Sequence, residues 1–193
     1  MDSSYLTNPL VFLIQVLFGA YILVVMLRFL LQLVKADFYN PVSQFIVKVT
    51  SPVLQPLRRY IPGFGGIDVA SLVLMWLLKS VELSLTLLAG GGATTNLLAT
   101  LAWSIPELVA LAINVFLFAI LIQVILSWVS PGGYNPAAAL IHTLTEPLLR
   151  PARRLIPPFS GLDLSPMLVM VGLVLLKMLL LPPLQMLMAT PFR

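Results

Sequence analysis

The sequence predicts an all-α integral membrane protein: four transmembrane helices arranged as two tandem repeats, each a span, an amphipathic connector and a second span. Three observations predict this. The 193 residues are 60% hydrophobic and only 9% charged, with a mean hydropathy of +1.03, whereas soluble domains carry roughly 25% charged residues. Four apolar stretches reach about the 20 residues needed to cross the hydrocarbon of a bilayer. Residues 39–68, YNPVSQFIVKVTSPVLQPLRRYIPGFGGID, recur without a gap at 134–163 as YNPAAALIHTLTEPLLRPARRLIPPFSGLD, with half the positions identical. Self-similarity at a fixed offset marks a duplicated unit.

The first unit covers residues 1–89, with spans at about 9–34 and 69–89 and a connector at 36–67. An uncharged linker occupies 90–104. The second unit covers 105–193, with spans at about 106–129 and 164–181 and a connector at 130–163. The opening MDSSYLTNP has no positive n-region, and no small-residue cleavage site follows the apolar run. The first span therefore reads as an uncleaved membrane helix. Pro182-Pro183 is expected to end or kink the last span.

In each connector, Asn40-Pro41 and Asn135-Pro136 look like an N-cap followed by proline at the first helical position. Val42, Phe45, Ile46 and Val49 fall at helical spacing. Pro52 is expected to restart a helix and Pro56 to kink or break it; Pro147 and Pro151 match them in the second copy. Pro62 and Pro157 precede the reversal of the chain. Arg58-Arg59 and Arg153-Arg154, with Arg150, place permanent charge on elements too short and polar to span, so the connectors read as interfacial helices with arginines at headgroup level. Asp68 and Asp163 cap the spans that follow. Because residues 61–66 turn the chain back, Arg58 or Arg59 is expected near Asp68, and Arg153 or Arg154 near Asp163.

Charges also lie inside the apolar runs. Arg28 is near the end of its span and reads as an interfacial anchor. Lys79, Glu82 and Lys177 lie deeper, where each costs about 2.5–3.5 kcal/mol on insertion scales. Glu82 and Lys177 are equivalent in the repeat, both 14 residues after their capping aspartate. A two-fold axis along the membrane normal would bring them face to face, and a Glu82–Lys177 pair is the expectation, with a local Lys79–Glu82 pair as its rival. Lysine and arginine gather in the connectors and are absent from the middle loop, which predicts cytoplasmic connectors and both termini outside.

The repeated Asn-Pro, prolines, Arg-Arg and aspartate, and above all the segment EPLLRPARRLIPP at 146–158, resemble the YggT family, also called YlmG, with relatives in chloroplasts. The first copy departs from the pattern at Ser51, where the second has Glu146, and at Gly63, where the second has Pro158. The resemblance covers nearly the whole chain. It implies a small bacterial inner-membrane protein without established enzymatic activity, whose relatives are linked to osmotic-stress tolerance and ion homeostasis, to cell division, and to assembly of cytochrome complexes.

The residues themselves hold no nucleophile–base–acid set, no metal-ligand spacing and no phosphate-binding glycine loop. Cysteine is absent and His142 is the lone histidine, without a twin at Val47. No enzyme activity, cofactor or nucleic acid is expected. The expected function is a membrane scaffold or assembly factor that meets anionic headgroups and membrane, division or assembly proteins through its arginines, with homo-oligomerisation left open. A component of an ion or osmolyte transport system is the alternative, suggested by Arg28, Lys79, Glu82 and Lys177.

Overall fold

The structure, a computed structural model, describes residues 4–90, 96–129, 135–156 and 163–189, with backbone alone for 4–7. Six helices run in order: α1 Ser4–Leu33, α2 Pro41–Tyr60, α3 Val69–Ala89, α4 Leu97–Val129, α5 Pro136–Leu155 and α6 Ser165–Ala189. Four of them, α1, α3, α4 and α6, are long and apolar enough to cross a membrane. Large side chains such as Leu17, Phe118 and Leu179 point away from the protein, as expected of helices whose outer surface meets lipid. This is a multi-pass membrane protein.

Within each repeat the two spans pack together, α1 on α3 and α4 on α6, and the repeats join through α3 against α4. That seam carries hydroxyls. The Ser80 hydroxyl donates to Ser104 Oγ at 3.2 Å, Ser84 to Thr100 Oγ1 at 3.1 Å, and the Trp76 indole to the Leu101 carbonyl at 2.8 Å. Small polar residues let helices approach closely where the surrounding lipid offers no hydrophobic drive to associate. The main core gathers Ile22 and Val25 of α1, Leu54 of α2 and Met75 of α3. Both α2 and α5 lie at one end of the bundle and touch, with Asn40 Nδ2 donating to the Pro136 carbonyl at 2.7 Å.

Several boundaries differ from the sequence expectation. Each connector holds one continuous helix instead of two short ones. Pro52, Pro56, Pro147 and Pro151 all lie on the exposed side, so the carbonyls they leave unbonded face outward, while Ser43, Ile46, Thr50 and Leu54 line the buried side of α2. The linker expected at 90–104 is already helical from Leu97. Asn96 caps α4, its Oδ1 accepting from the Leu98 amide at 3.1 Å, and no glycine or proline interrupts the first nine residues after it. At the other end, Pro182 and Pro183 do not stop α6, which continues to Ala189.

Two turns aim the connectors. α1 ends with the Ala36 amide on the Leu31 carbonyl at 2.9 Å and the Lys35 amide on Gln32 at 3.0 Å. This is the Schellman pattern, which needs a left-handed residue, and Lys35 supplies it at φ 54°. After α2, Phe64 and Ile67 exchange both backbone bonds across Gly65 and Gly66, whose φ values are 60° and 84°. A two-residue hairpin loop with both φ positive favours glycine. The matching positions of the second copy, 160 and 161, lie outside the described residues.

A non-glycine residue in the left-handed region costs roughly 1 kcal/mol or more. Lys35→Gly is therefore expected to stabilise the protein by about 1 kcal/mol, read as a higher unfolding midpoint in detergent; an unchanged or lowered midpoint would contradict the strain assigned to Lys35.

Candidate functional site

The site is the pair of amphipathic helices and the groups that tie them to the spans. Asn40 Oδ1 accepts from the Val42 amide at 2.9 Å and Asn135 Oδ1 from Ala137 at 2.9 Å, with Pro41 and Pro136 at the first helical positions. Midway along α2, Arg28 reaches over from α1. It is only 6% exposed, and its Nη1 donates to Thr50 Oγ1 at 2.5 Å, to the Val47 carbonyl at 3.2 Å and to Ser51 Oγ at 3.2 Å. Arg28 is thus bonded within the protein, where an interfacial anchor was expected. In the second copy Gln123 stands in its place and accepts from Thr145 Oγ1. Thr50 and Thr145 are identical in the repeat, and this shared tether is what their identity reports.

The far ends of the connectors are clamped. Arg58 Nη2 meets Asp68 Oδ2 at 2.5 Å, and Arg153 Nε meets Asp163 Oδ2 at 3.1 Å. Of each arginine pair, the first member makes the bond. Asp68 also accepts from the Ser71 amide at 3.4 Å, and Asp163 from the Ser165 amide at 2.9 Å, so each carboxylate caps the next span and holds the preceding connector. Burial raises the pKa of Asp68, but the bonds from Arg58 and Ser71 outweigh it and leave the carboxyl below its ordinary value. Asp163 follows the same logic: burial is overcome by Ser165 and Arg153. Arg153 is further shared with Glu146, Nη1 to Oε2 at 2.8 Å. Burial lowers its pKa, yet the two carboxylates hold it above the usual value. His142 is exposed and lies 3.7 Å from Glu146 Oε2.

The deep charges do not pair as expected. Lys79 Nζ bonds Glu82 Oε1 at 2.9 Å on its own helix, and Lys177 Nζ donates to Asn114 Oδ1 at 2.8 Å. The expected Glu82–Lys177 pair is absent because the repeats join through α3 and α4, with α6 packed on α4 of its own repeat. Asn114, which the sequence reading missed, is the repeat partner of Gly19, so no amide stands opposite Glu82 at that position. Glu82 Oε2 is buried without a partner among the described residues and borders a cavity of about 150 Å³ that Gly19, Lys79, Glu107 and Asn114 also line.

Arg59, Arg150 and Arg154 are exposed, and among the described residues they make no ion pair or hydrogen bond. Pro62 lies in the turn after α2; Pro157 falls outside the described residues.

The CCB3/YggT family model matches residues 7–89 and 102–184, two segments separated by the same offset as the internal repeat. The chain belongs to the CCB3/YggT family. It is 50% identical over 175 residues to an uncharacterised protein of Pseudomonas aeruginosa, covering 90% of this chain and 89% of that one. It is 44% identical over 167 residues to an uncharacterised protein of the proC 3′ region of Vibrio alginolyticus, covering 86% and 90%. It is 39% identical over 173 residues to YggT of Escherichia coli K12, covering 89% and 88%. No solved structure matches the chain.

In this CCB3/YggT chain the two clamps differ in burial: Asp68 is 4% exposed in its side chain and Asp163 40%. Arg58→Ala strands a buried carboxylate and is expected to cost roughly 1.5–3 kcal/mol. Arg153→Ala breaks an exposed contact and should cost less than about 1 kcal/mol. Both aspartates have lowered folded pKa values, so their stabilisation is complete above about pH 4 and is lost as pH falls through those values. Asp68→Asn should flatten that acid limb in detergent unfolding curves more than Asp163→Asn; equal effects would refute the asymmetry.

Proposed function

We propose that this CCB3/YggT protein is a non-enzymatic membrane scaffold of the bacterial inner membrane. Its α2–α5 pair lies at the cytoplasmic surface and offers Arg59, Arg150 and Arg154 to anionic headgroups and to membrane partner proteins, including division or assembly proteins and a second copy of the chain. One observation carries the reading: the arginines are divided in use. Arg58 and Arg153 are committed to internal carboxylates, while Arg59, Arg150 and Arg154 remain exposed on the same helices. Charge that served folding alone would not leave these three outside the clamps. Each basic residue close to an anionic leaflet contributes about 1 kcal/mol, and the proline-rich outer side leaves backbone carbonyls open to partner donors. The absence of lysine and arginine from residues 90–104 supports the cytoplasmic assignment.

The test has two parts. With cysteine at Gln55 or Asn96, an impermeant maleimide applied to intact spheroplasts should label position 96 and spare 55; the reverse pattern would overturn the topology. Photocrosslinkers at Arg59 and Arg154 in native membranes should then capture discrete proteins. Lipid adducts alone would mean that these arginines only orient the chain.

A second reading, participation in ion or osmolyte transport, is favoured by Glu82. A carboxylate oxygen buried without a partner among the described residues, beside a polar cavity, is the kind of group that marks ion paths. Under this reading, purified protein in liposomes conducts a monovalent cation or protons, and Glu82→Gln abolishes the flux. Absence of flux in the parent protein would exclude it.

A further inference from the structure

We propose that the cavity between the end of α1 and α2 is a binding site for a phosphate-bearing anion, namely the headgroup of an anionic phospholipid. The cavity measures about 580 Å³ and is lined by Arg28, Gln32, Gln44, Lys48 and Arg58, with Phe38 and Val47 forming its apolar wall. Three cations and two carboxamides converge there, and among the described residues no acidic side chain lines it. Arg58 spends one edge on Asp68. Lys48 has no partner among the described residues.

Arg28 is the decisive member. All three of its hydrogen bonds leave from Nη1, and Nε and Nη2 donate to no described group, although the residue is 94% buried (6% exposed). A guanidinium held rigidly along one edge, with its other donors free at a cavity, matches two oxygens of a phosphate. Basic pockets beside transmembrane helices are known chemistry for phospholipid headgroups, and Phe38 and Val47 suit the glycerol and first methylenes below one.

The internal repeat supplies the control. The residues that build the fold are the same in both copies: Thr50 and Thr145, Arg58 and Arg153, Asp68 and Asp163. Of the three cations and two carboxamides lining the cavity, Arg58 is shared and the other four are not. Arg28, Gln32, Gln44 and Lys48 correspond to Gln123, Ser127, Ala139 and Thr143. The second copy has its own cavity of about 420 Å³, whose charged lining is Arg153 together with the Asp163 it already bonds. The cations at Arg28 and Lys48 are therefore extra to what the shared architecture needs. This site rests on the reading of α2 as an interfacial helix, and not on any partner protein.

The test uses the full chain in mild detergent and native mass spectrometry. Equal amounts of phosphatidylglycerol and phosphatidylcholine with identical acyl chains are offered. One phosphatidylglycerol should be retained in preference, and R28Q/K48T, which installs the second copy's residues, should lower that preference at least about tenfold, equivalent to about 1.4 kcal/mol. R28Q keeps an amide to meet Thr50, as Gln123 does for Thr145; if it does not fold, Q44A/K48T decides, with the same direction expected. Equal retention of the two lipids, or an undiminished preference in the folded variant, overturns the site. If inorganic phosphate or glycerol 3-phosphate displaces the lipid at matched concentration, the ligand is a soluble phosphate and the lipid assignment falls. If R59A/R150A/R154A lowers the preference as much as R28Q/K48T, diffuse charge accounts for binding and the pocket does not. Capture of partner proteins through Arg59 and Arg154 is independent of all these outcomes.

Discussion

Arg28 is a permanent cation inside an apolar span, and how it is satisfied governs the rest of the first repeat. A guanidinium that stayed among lipid chains would need to snorkel or draw water down to it. Here α2 brings it a carbonyl and two hydroxyls. That contact sets the height of α2 against α1 and aligns its buried stripe with the core. It leaves the Arg58 end of the helix where the glycine turn can return the chain to Asp68. The second repeat reaches the same arrangement with a neutral amide, Gln123 on Thr145. A cation is therefore not required for the tether.

The two copies have kept one mechanical plan while dividing their charges differently. Where the first has Ser51 on Arg28, the second has Glu146 on Arg153. The acid in the second copy gives its clamp arginine a second carboxylate partner beside Asp163. Its absence from the first leaves an electropositive recess. The deep charges diverged as well: Glu82 is matched by Lys177, and each found a partner within reach of its own surroundings, Lys79 for the one and Asn114 for the other.

Much of this was legible in the residues. The four spans follow from hydropathy, and the Arg58–Asp68 and Arg153–Asp163 contacts follow from a chain reversal placed between opposite charges. Asn40 and Asn135 before proline announced their caps. What was not legible depended on packing. Pro52 and Pro56 look like breaks until one knows that both lie on the outer side of α2, where an unbonded carbonyl is tolerated. The start of α4 at Leu97 was hidden because Asn96 follows three glycines and two threonines that read as linker. The Glu82–Lys177 expectation assumed that equivalent spans face one another. The repeats instead join unlike spans, α3 with α4, a choice made by Ser80, Ser84, Thr100 and Ser104, and no pairing of charges at equal depth reveals it.

The seam between α3 and α4 also sets helices of very different length side by side. At 1.5 Å per residue, the 21 residues of α3 reach about 31 Å and the 33 of α4 about 50 Å. The first matches a bilayer's hydrocarbon thickness of roughly 30 Å; the second exceeds it by several turns. A helix with that excess either tilts or stretches the lipid next to it, while its short neighbour does neither. The protein therefore presents a longer apolar helix on one flank than on the other, and a bilayer around it would meet unequal lengths. Such an inequality favours neighbours whose own mismatch complements it, which gives the bilayer a say in where this protein resides and what it lies beside.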